Sequence, residues 1–295
     1  MRVLVTGASG QLGHDVMLEL KKRGIEAMGC DRGASDNGEY ETIAMDITDK
    51  ERVNEVIADG YDAVIHCAAW TNVDAAEDEA NKPAVYKVNV EGTENIALAC
   101  KANDVKMMYI STDYVFNGEG DTPWDPDSKE FEPVNYYGET KLGGEKAVAD
   151  NLDKFFIVRI SWVFGPNGKN FINTMLSLSE THDELRVVND QIGSPTYTID
   201  LARLLVDMIV TDKYGFYNAT NEGDYISWAD FAKEIFKQAG KDTKVTPVTT
   251  EEYGLSKAKR PFNSRMSKEK LTENGFDRLP TWQDALARYL ALKKD

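Results

Sequence analysis

Cysteine and histidine are scarce in this chain. Its three cysteines, Cys30, Cys67 and Cys100, are odd in number and far apart. That argues against a disulfide framework or zinc-type spacing, and they read as small core residues in a reducing cytoplasm. The three histidines, His14, His66 and His182, do not cluster with them, so no metal site is expected. Positive charge is also short: 34 Lys and Arg face 50 Asp and Glu, a net charge of -16. A phosphate backbone needs a basic footprint, so no nucleic acid partner is expected. No apolar run is long enough to span a bilayer, and a strand-like run already begins at Arg2. Neither a membrane partner nor a signal peptide is therefore expected.

What is present suits a globular protein: 295 residues, 42% apolar and 28% charged, enough for one large or two smaller domains. Arg2–Thr6 reads as a buried parallel strand and runs straight into Gly7-Ala8-Ser9-Gly10-Gln11-Leu12-Gly13. A helical stripe of Leu12, Val16 and Leu20 follows, with Gly24 as a stop. In the order strand, turn, helix, glycines let the backbone approach a pyrophosphate, and the helix N-terminus offers it free N–H groups. Gly7, Gly10, Gln11, Leu12 and Gly13 are thus candidate cofactor contacts, although the spacing is Gly-x-x-Gly-x-x-Gly and not the commoner Gly-x-Gly-x-x-Gly. A second strand over residues 25–30 ends at Asp31, where an acid suits the ribose 2′-hydroxyl of NAD. Arg32 beside it suits the extra phosphate of NADP. The pair leaves both coenzymes open, with NAD marginally ahead. Asp46 and Ile47 close another strand and are candidates for the adenine end, with helix capping as the competing role for Asp46. Residues 62–69 form a strand ending in Cys67, Ala68 and Ala69, small enough for a cofactor to lie against.

A helical region over residues 74–102 is expected to break near Pro83 and carries Asn89 in its middle. That asparagine is either solvated, bonded back to its own helix, or an anchor for active-site side chains. Strand 106–110 leads to Ser111, Thr112 and Asp113 at its C-terminal end, where ligands bind in open α/β sheets. Thr112 could hydrogen-bond a substrate oxygen, with a capping role for Ser111 or Thr112 as the competing explanation. After a loop over 117–135, Tyr137 and Lys141 stand four apart on one helix, hence on one face. An ammonium near a phenol favours its charged form, which would make Tyr137 an acid–base group for a carbonyl or alcohol oxygen. Strands and helices alternate over about 165 residues, which predicts a doubly wound parallel sheet of the α/β class.

Later elements are a helix over 170–179, a turn-rich loop over 190–196, a helix over 198–210, a strand at Gly215–Asn218, a helix at Trp228–Ala239, a strand over 245–248 and a last helix at Trp282–Leu292. Residues 1–165 with about 193–220 are expected to form a dinucleotide-binding unit, and 166–192 with 221–295 a smaller substrate-binding unit. Lys257, Lys259, Arg260, Arg265, Lys268 and Lys270 face one acid, Glu269. This cluster is either a solvated surface or a site for an anionic substrate such as a nucleotide diphosphate, with Arg260 preferred for its forked donors.

Gly7-x-x-Gly10-x-x-Gly13, Thr112 and Tyr137-x-x-x-Lys141 resemble the extended short-chain dehydrogenase/reductase family. Ser111-Thr112-Asp113-Tyr114-Val115-Phe116-Asn117-Gly118, Arg159-Ile160-Ser161-Trp162-Val163-Phe164-Gly165, Asp190-Gln191-x-Gly193-x-Pro195-Thr196 and Arg260-Pro261 resemble its dTDP-4-dehydrorhamnose reductase branch. The likeness covers essentially the whole chain. It departs at His66-Cys67-Ala68-Ala69-Trp70, where relatives often carry Asn-Ala-Ala and a smaller aromatic.

The resemblance implies a Rossmann domain with a smaller C-terminal α/β substrate domain. It implies NADH- or NADPH-dependent reduction of the 4-keto group of a nucleotide-linked 6-deoxyhexose in the cytoplasm. Tyr137 would be the acid, Lys141 would hold the ribose hydroxyls, and Thr112 would orient the carbonyl, with Ser111 at the cofactor. Substrate contacts are implied at Asp113, Tyr114, Val115, Trp162, Asn170 and Arg260. Trp162 reads equally as a core residue. A nucleotide-sugar epimerase or dehydratase would share the Tyr–Lys pair, but a dehydratase of this kind carries Asp-Glu after the threonine, and here Tyr114 follows Asp113. A non-catalytic cofactor-binding subunit is the other alternative, and a homodimer is left open.

Overall fold

The chain builds one main sheet of eight strands: β1 (Arg2–Thr6), β2 (Glu26–Asp31), β3 (Ser35–Asp36), β4 (Glu41–Ala44), β5 (Ala63–His66), β6 (Lys106–Thr112), β7 (Phe155–Ile160) and the later strand Gly215–Asn218. The computed structural model describes residues 1–36 and 38–293; residues 294 and 295, at the end of the expected second unit, lie outside them. Across the sheet the order is Gly215–Asn218, β7, β6, β5, β1, β2, β4, β3. Every neighbouring pair is parallel except β3 with β4. The α/β doubly wound expectation is met. The chain winds outward from β1 through β2, then returns to β5 on the other side of β1 and winds the opposite way. The C-terminal ends of β1 and β5 are therefore the switch point, where a crevice opens because the connections leave in opposite directions.

The main helices are α1 (Gln11–Lys22), α2 (Lys50–Ile57), α3 (Val73–Ala76), α4 (Lys82–Tyr86), α5 (Thr93–Ala102), α6 (Tyr136–Asn151), α7 (Phe171–Ser179), α8 (Thr198–Ile209) and α9 (Trp228–Ala239), of which α1, α2, α5, α6 and α8 pack on the sheet. Side chains on a strand alternate between faces, so Val3 and Val5 meet α1 and α8, while Leu4 between them meets α2 and α5. Phe164, Phe231, Trp282 and Tyr289 centre a third cluster that includes residues of α7, α9 and the helix Trp282–Leu292. Leu271, Phe276 and Leu279, all beyond residue 221, join the α1–α8 face of the main sheet.

The interruption expected near Pro83 is met, and the structure adds detail to it and one further strand. The helical region breaks between α3 and α4, and Pro83 lies in the first turn of α4, where its missing N–H costs nothing. Residues Lys87–Gly92 then form a π-helical turn that carries Asn89. The strand Glu184–Val188, parallel to Lys244–Val248, went unread because its residues are mixed in polarity and partly exposed.

Arg159 on β7 is fully buried, and so is its partner Glu145 on α6. Its guanidinium donates to both Glu145 oxygens at 2.8 and 2.7 Å and to the Pro126 carbonyl at 2.9 Å. Phe116, Phe131 and Phe216 surround it. Removing one partner of such a pair strands the other charge in a dry site. Glu145→Ala should therefore lose about 3–5 kcal/mol of stability, read by urea denaturation. A loss no larger than that of an exposed pair would show that the charge is not sealed from water.

Candidate active site

The crevice at the switch point is a cavity of about 630 Å³, lined by the ends of β1, β2, β5, β6 and β7 and by α6. At one end is the glycine turn. Gly7 has φ +66, a conformation that L side chains resist, and a Cβ there would stand 2.8 Å from the Ala68 backbone. A Cβ on Gly13 would collide with the Gly7 carbonyl. The helix start has no side-chain cap and no acid in its first turn, so its N–H groups remain available to an anion. Gly10, Gln11 and Leu12 share this wall.

Asp31 and Arg32 stand further along the same wall. The Asp31 carboxylate accepts from the Arg32 N–H at 2.8 Å and the Ser9 N–H at 3.3 Å, so it also ties the glycine turn to β2. Asp49, not Asp46, caps α2, which leaves Asp46 at the cavity beside Ile47. Cys67, Ala68 and Ala69 line the opposite side, and Ala68 N–H donates to the Thr6 hydroxyl at 3.2 Å. His66, unusual at this place, is buried between Thr6 at 2.6 Å and Thr93 at 3.1 Å. Burial, with the Lys141 charge behind it, lowers its pKa to about 3, so it is a neutral strut.

At the other end stand Thr112, Tyr137 and Lys141. Asn135 caps α6 by accepting from Gly138 N–H at 2.8 Å, which sets Tyr137 at the start of the helix. A Cβ on Gly138 would collide with the Tyr114 carbonyl, and one on Gly144 with the Tyr109 hydroxyl, so glycine lets α6 lie close against β6 and the turn Asp113–Val115 that follows it. Lys141 is buried, donates to the Ile110 carbonyl at 2.7 Å and lies 4.1 Å from the centre of the Tyr109 ring. Burial lowers its pKa to about 7, with Glu145 opposing. The expectation that Lys141 depresses the Tyr137 pKa is corrected: burial, then the charge of Asp113, pushes the phenol well above its ordinary value, and Thr112 opposes. Lys141 turns its amine to a carbonyl, so a protonated phenol is the resting state. Thr112 also caps the turn Asp113–Val115, and its hydroxyl donates to the Asp113 carboxylate at 3.0 Å. Asn89 is an anchor: it bonds the Trp70 N–H at 2.8 Å, the Trp70 carbonyl at 3.2 Å and Thr140 on α6 at 3.1 Å.

Residues 1–294 match the RmlD substrate binding domain family. The chain belongs to this family. The spore coat polysaccharide biosynthesis protein SpsK of Bacillus subtilis is 39% identical, over 98% of this chain and 96% of SpsK. A dTDP-4-dehydrorhamnose reductase of Aggregatibacter actinomycetemcomitans is 37% identical, over 97% of each chain. The crystal structure of dTDP-4-dehydrorhamnose reductase from Bacillus anthracis in complex with NADP superposes with a TM-score of 0.90 at 39% identity, covering 99% of both chains.

Within this family fold, four expected site residues sit otherwise. Val115 is buried in a separate cluster with Phe116, Trp124 and Leu142. Asn170 caps α7 and donates to the Gly165 carbonyl and the Tyr289 hydroxyl, away from the cavity wall. Arg260 pairs with Asp74 at 2.8 Å, outside the wall, because that carboxylate offers it what a diphosphate would. Ser111 lines the cavity but donates its hydroxyl to Glu145 at 2.6 Å. Lys257, Lys268 and Lys270 also meet acids, Asp78, Glu222 and Asp127. Trp162 lines the cavity, as do Trp70 and Trp228, which sequence reasoning did not single out. In the structure Trp228 is the first residue of α9, which Ser227 and Asp230 cap, and this local pattern does not itself point to the cavity.

Asp113 is buried, with one carboxylate oxygen unpartnered among the described residues. Burial raises its pKa from 3.8 to about 6, with Ser264 and Thr112 opposing. The folded protein therefore binds this proton more tightly than the unfolded chain does. The stability this contributes is complete below about 3.8 and is lost as pH rises through about 6. Asp113→Asn should gain stability over wild type as pH rises through that window, in melts at matched ionic strength. A difference that is constant with pH would mean that folding leaves the Asp113 pKa unshifted.

Proposed function

We propose that the chain reduces the 4-keto group of dTDP-4-dehydrorhamnose to dTDP-L-rhamnose with NADH or NADPH. The observation that carries this is one cavity with a glycine cradle at one end and Thr112, Tyr137 and Lys141 at the other. The cradle fits a dinucleotide: side chains are excluded at Gly7 and Gly13, and α1 offers uncapped N–H groups to a pyrophosphate. Asp31 and Arg32 would hold the adenosine ribose, and Lys141 the second ribose. Bound there, the reduced nicotinamide supplies the hydride that reaches C4.

The chain's own residues do the rest. Tyr137 keeps its proton at neutral pH, as its buried position favours, and releases it to the C4 oxygen as charge develops there. Thr112 donates to the same oxygen and orients the carbonyl. Trp162 offers an apolar face to the sugar ring, with Asp113 and Tyr114 beside it. Positioning contributes more than the proton transfer, since effective molarities of well-oriented groups reach about 10⁵ M or more. Residues 1–165 with about 193–220 serve the dinucleotide, and 166–192 with 221–295 the sugar. All three cysteines are free thiols, in keeping with a cytoplasmic place of action.

The test is oxidation of NADH and NADPH by the purified protein against a panel of nucleotide 4-keto sugars. dTDP-4-dehydrorhamnose should give the highest kcat/KM, with dTDP-L-rhamnose as product. No turnover of any member would leave a non-catalytic binding role. Asp31→Ala should weaken use of NADH and Arg32→Ala use of NADPH, each roughly tenfold or more, as for a bond to a charged group. An unchanged coenzyme ratio in both would place the adenosine ribose elsewhere.

A further inference from the structure

Trp162 holds φ at +49, the left-handed region that a bulky side chain resists. Such a conformation persists where the surroundings over-determine it. The ring of Trp228 lies face to face on that of Trp162, with centroids 3.7 Å apart and planes 16° from parallel. Two aromatic rings left to themselves prefer offset or edge-on arrangements, so packing around this pair must hold it. Phe171 on α7 leans on Trp228 at 4.6 Å and 53°. Gly193 leaves the space that the Trp162 ring needs: a Cβ there would stand 3.0 Å from Cε2 and 3.2 Å from Cζ2. Trp162 follows β7 of the main sheet, whereas Trp228 opens α9, whose apolar residues belong to the third cluster. Both indoles line the cavity that holds Tyr137 and Thr112.

We propose that Trp228 is a positioning residue for the reaction. It fixes Trp162 as the wall against which the sugar of a nucleotide-sugar substrate is set, and so ties α9 to the site. This rests on the nucleotide-sugar reductase reading above. A stack that serves only the packing of α9 would change stability without separating one substrate from the other.

Three variants test this: Trp228→Ala, Trp228→Phe and Gly193→Ala. Without any ligand, the stacked indoles of wild type should give an exciton couplet in far-ultraviolet circular dichroism. Both Trp228 variants should lose it, because one indole is gone. Trp228→Ala should raise the KM for the nucleotide sugar about tenfold, the upper range for an aromatic pair, with the KM for NADPH unchanged. Trp228→Phe, which keeps a flat ring, should recover most of that loss. Gly193→Ala leaves Trp228 intact but crowds Trp162. It should raise the sugar KM and weaken the couplet, and it decides the matter should Trp228→Ala fail to fold. An unchanged sugar KM in a folded variant, or a KM for NADPH that rises in step, would overturn the proposal. A wild type without the couplet would overturn the stack itself. A wild type that shows the couplet but reduces no dTDP-linked 4-keto sugar would sink the functional reading instead, and with it the role given to Trp228.

Discussion

The structure depends on how closely helix α6 can approach strand β6. A Tyr and a Lys one turn apart reach the end of a sheet strand only if their helix lies nearer to it than ordinary side chains permit. Gly138 and Gly144 remove the Cβ atoms that would strike the Tyr114 carbonyl and the Tyr109 hydroxyl. Asn89 then ties the same helix to Trp70 through Thr140, from a π-helical turn that re-aims its side chain. The glycines of α6 cost helix stability, and tertiary contacts offset that cost.

Such an approach buries charge, and the surroundings of that charge explain the chemistry. Lys141 is sealed beside Ile110 and Tyr109, with Glu145 one turn further along α6. Glu145 in turn is held by Arg159 and Ser111. His66, next to this group, is kept neutral by the same burial. The phenol of Tyr137 is pushed towards its protonated form by burial and by Asp113. The proton donation proposed for Tyr137 is well served by a site that resists its ionisation beforehand.

Much of this was legible in the sequence. The alternation of buried strands with helices, the glycine turn after Arg2–Thr6 and the Tyr137–Lys141 spacing are local patterns, and local patterns survive folding. What was not legible depends on distant partners. The basic run from Lys257 to Lys270 looks like an anion site in one dimension. In three dimensions Asp74, Asp78, Asp127 and Glu222 meet four of its cations. Asn170, a substrate contact by the family resemblance, caps α7. Trp228 had no local signal because its partner lies 66 positions earlier, at Trp162. The direction of the Tyr137 shift was also hidden, since helical spacing gives proximity but not where an amine turns or how much water remains.

The central claim is that Tyr137 is the proton donor of a reduction carried out in this cavity. Tyr137→Phe keeps the ring and its packing and removes the proton. The direct measurement is single-turnover reduction of dTDP-4-dehydrorhamnose by this variant, with NADPH affinity determined separately. The account predicts a fall in the rate of about 10²–10⁴-fold, the usual contribution of general acid catalysis, at near-normal NADPH binding. A variant that reduces the sugar at the wild-type rate would contradict it.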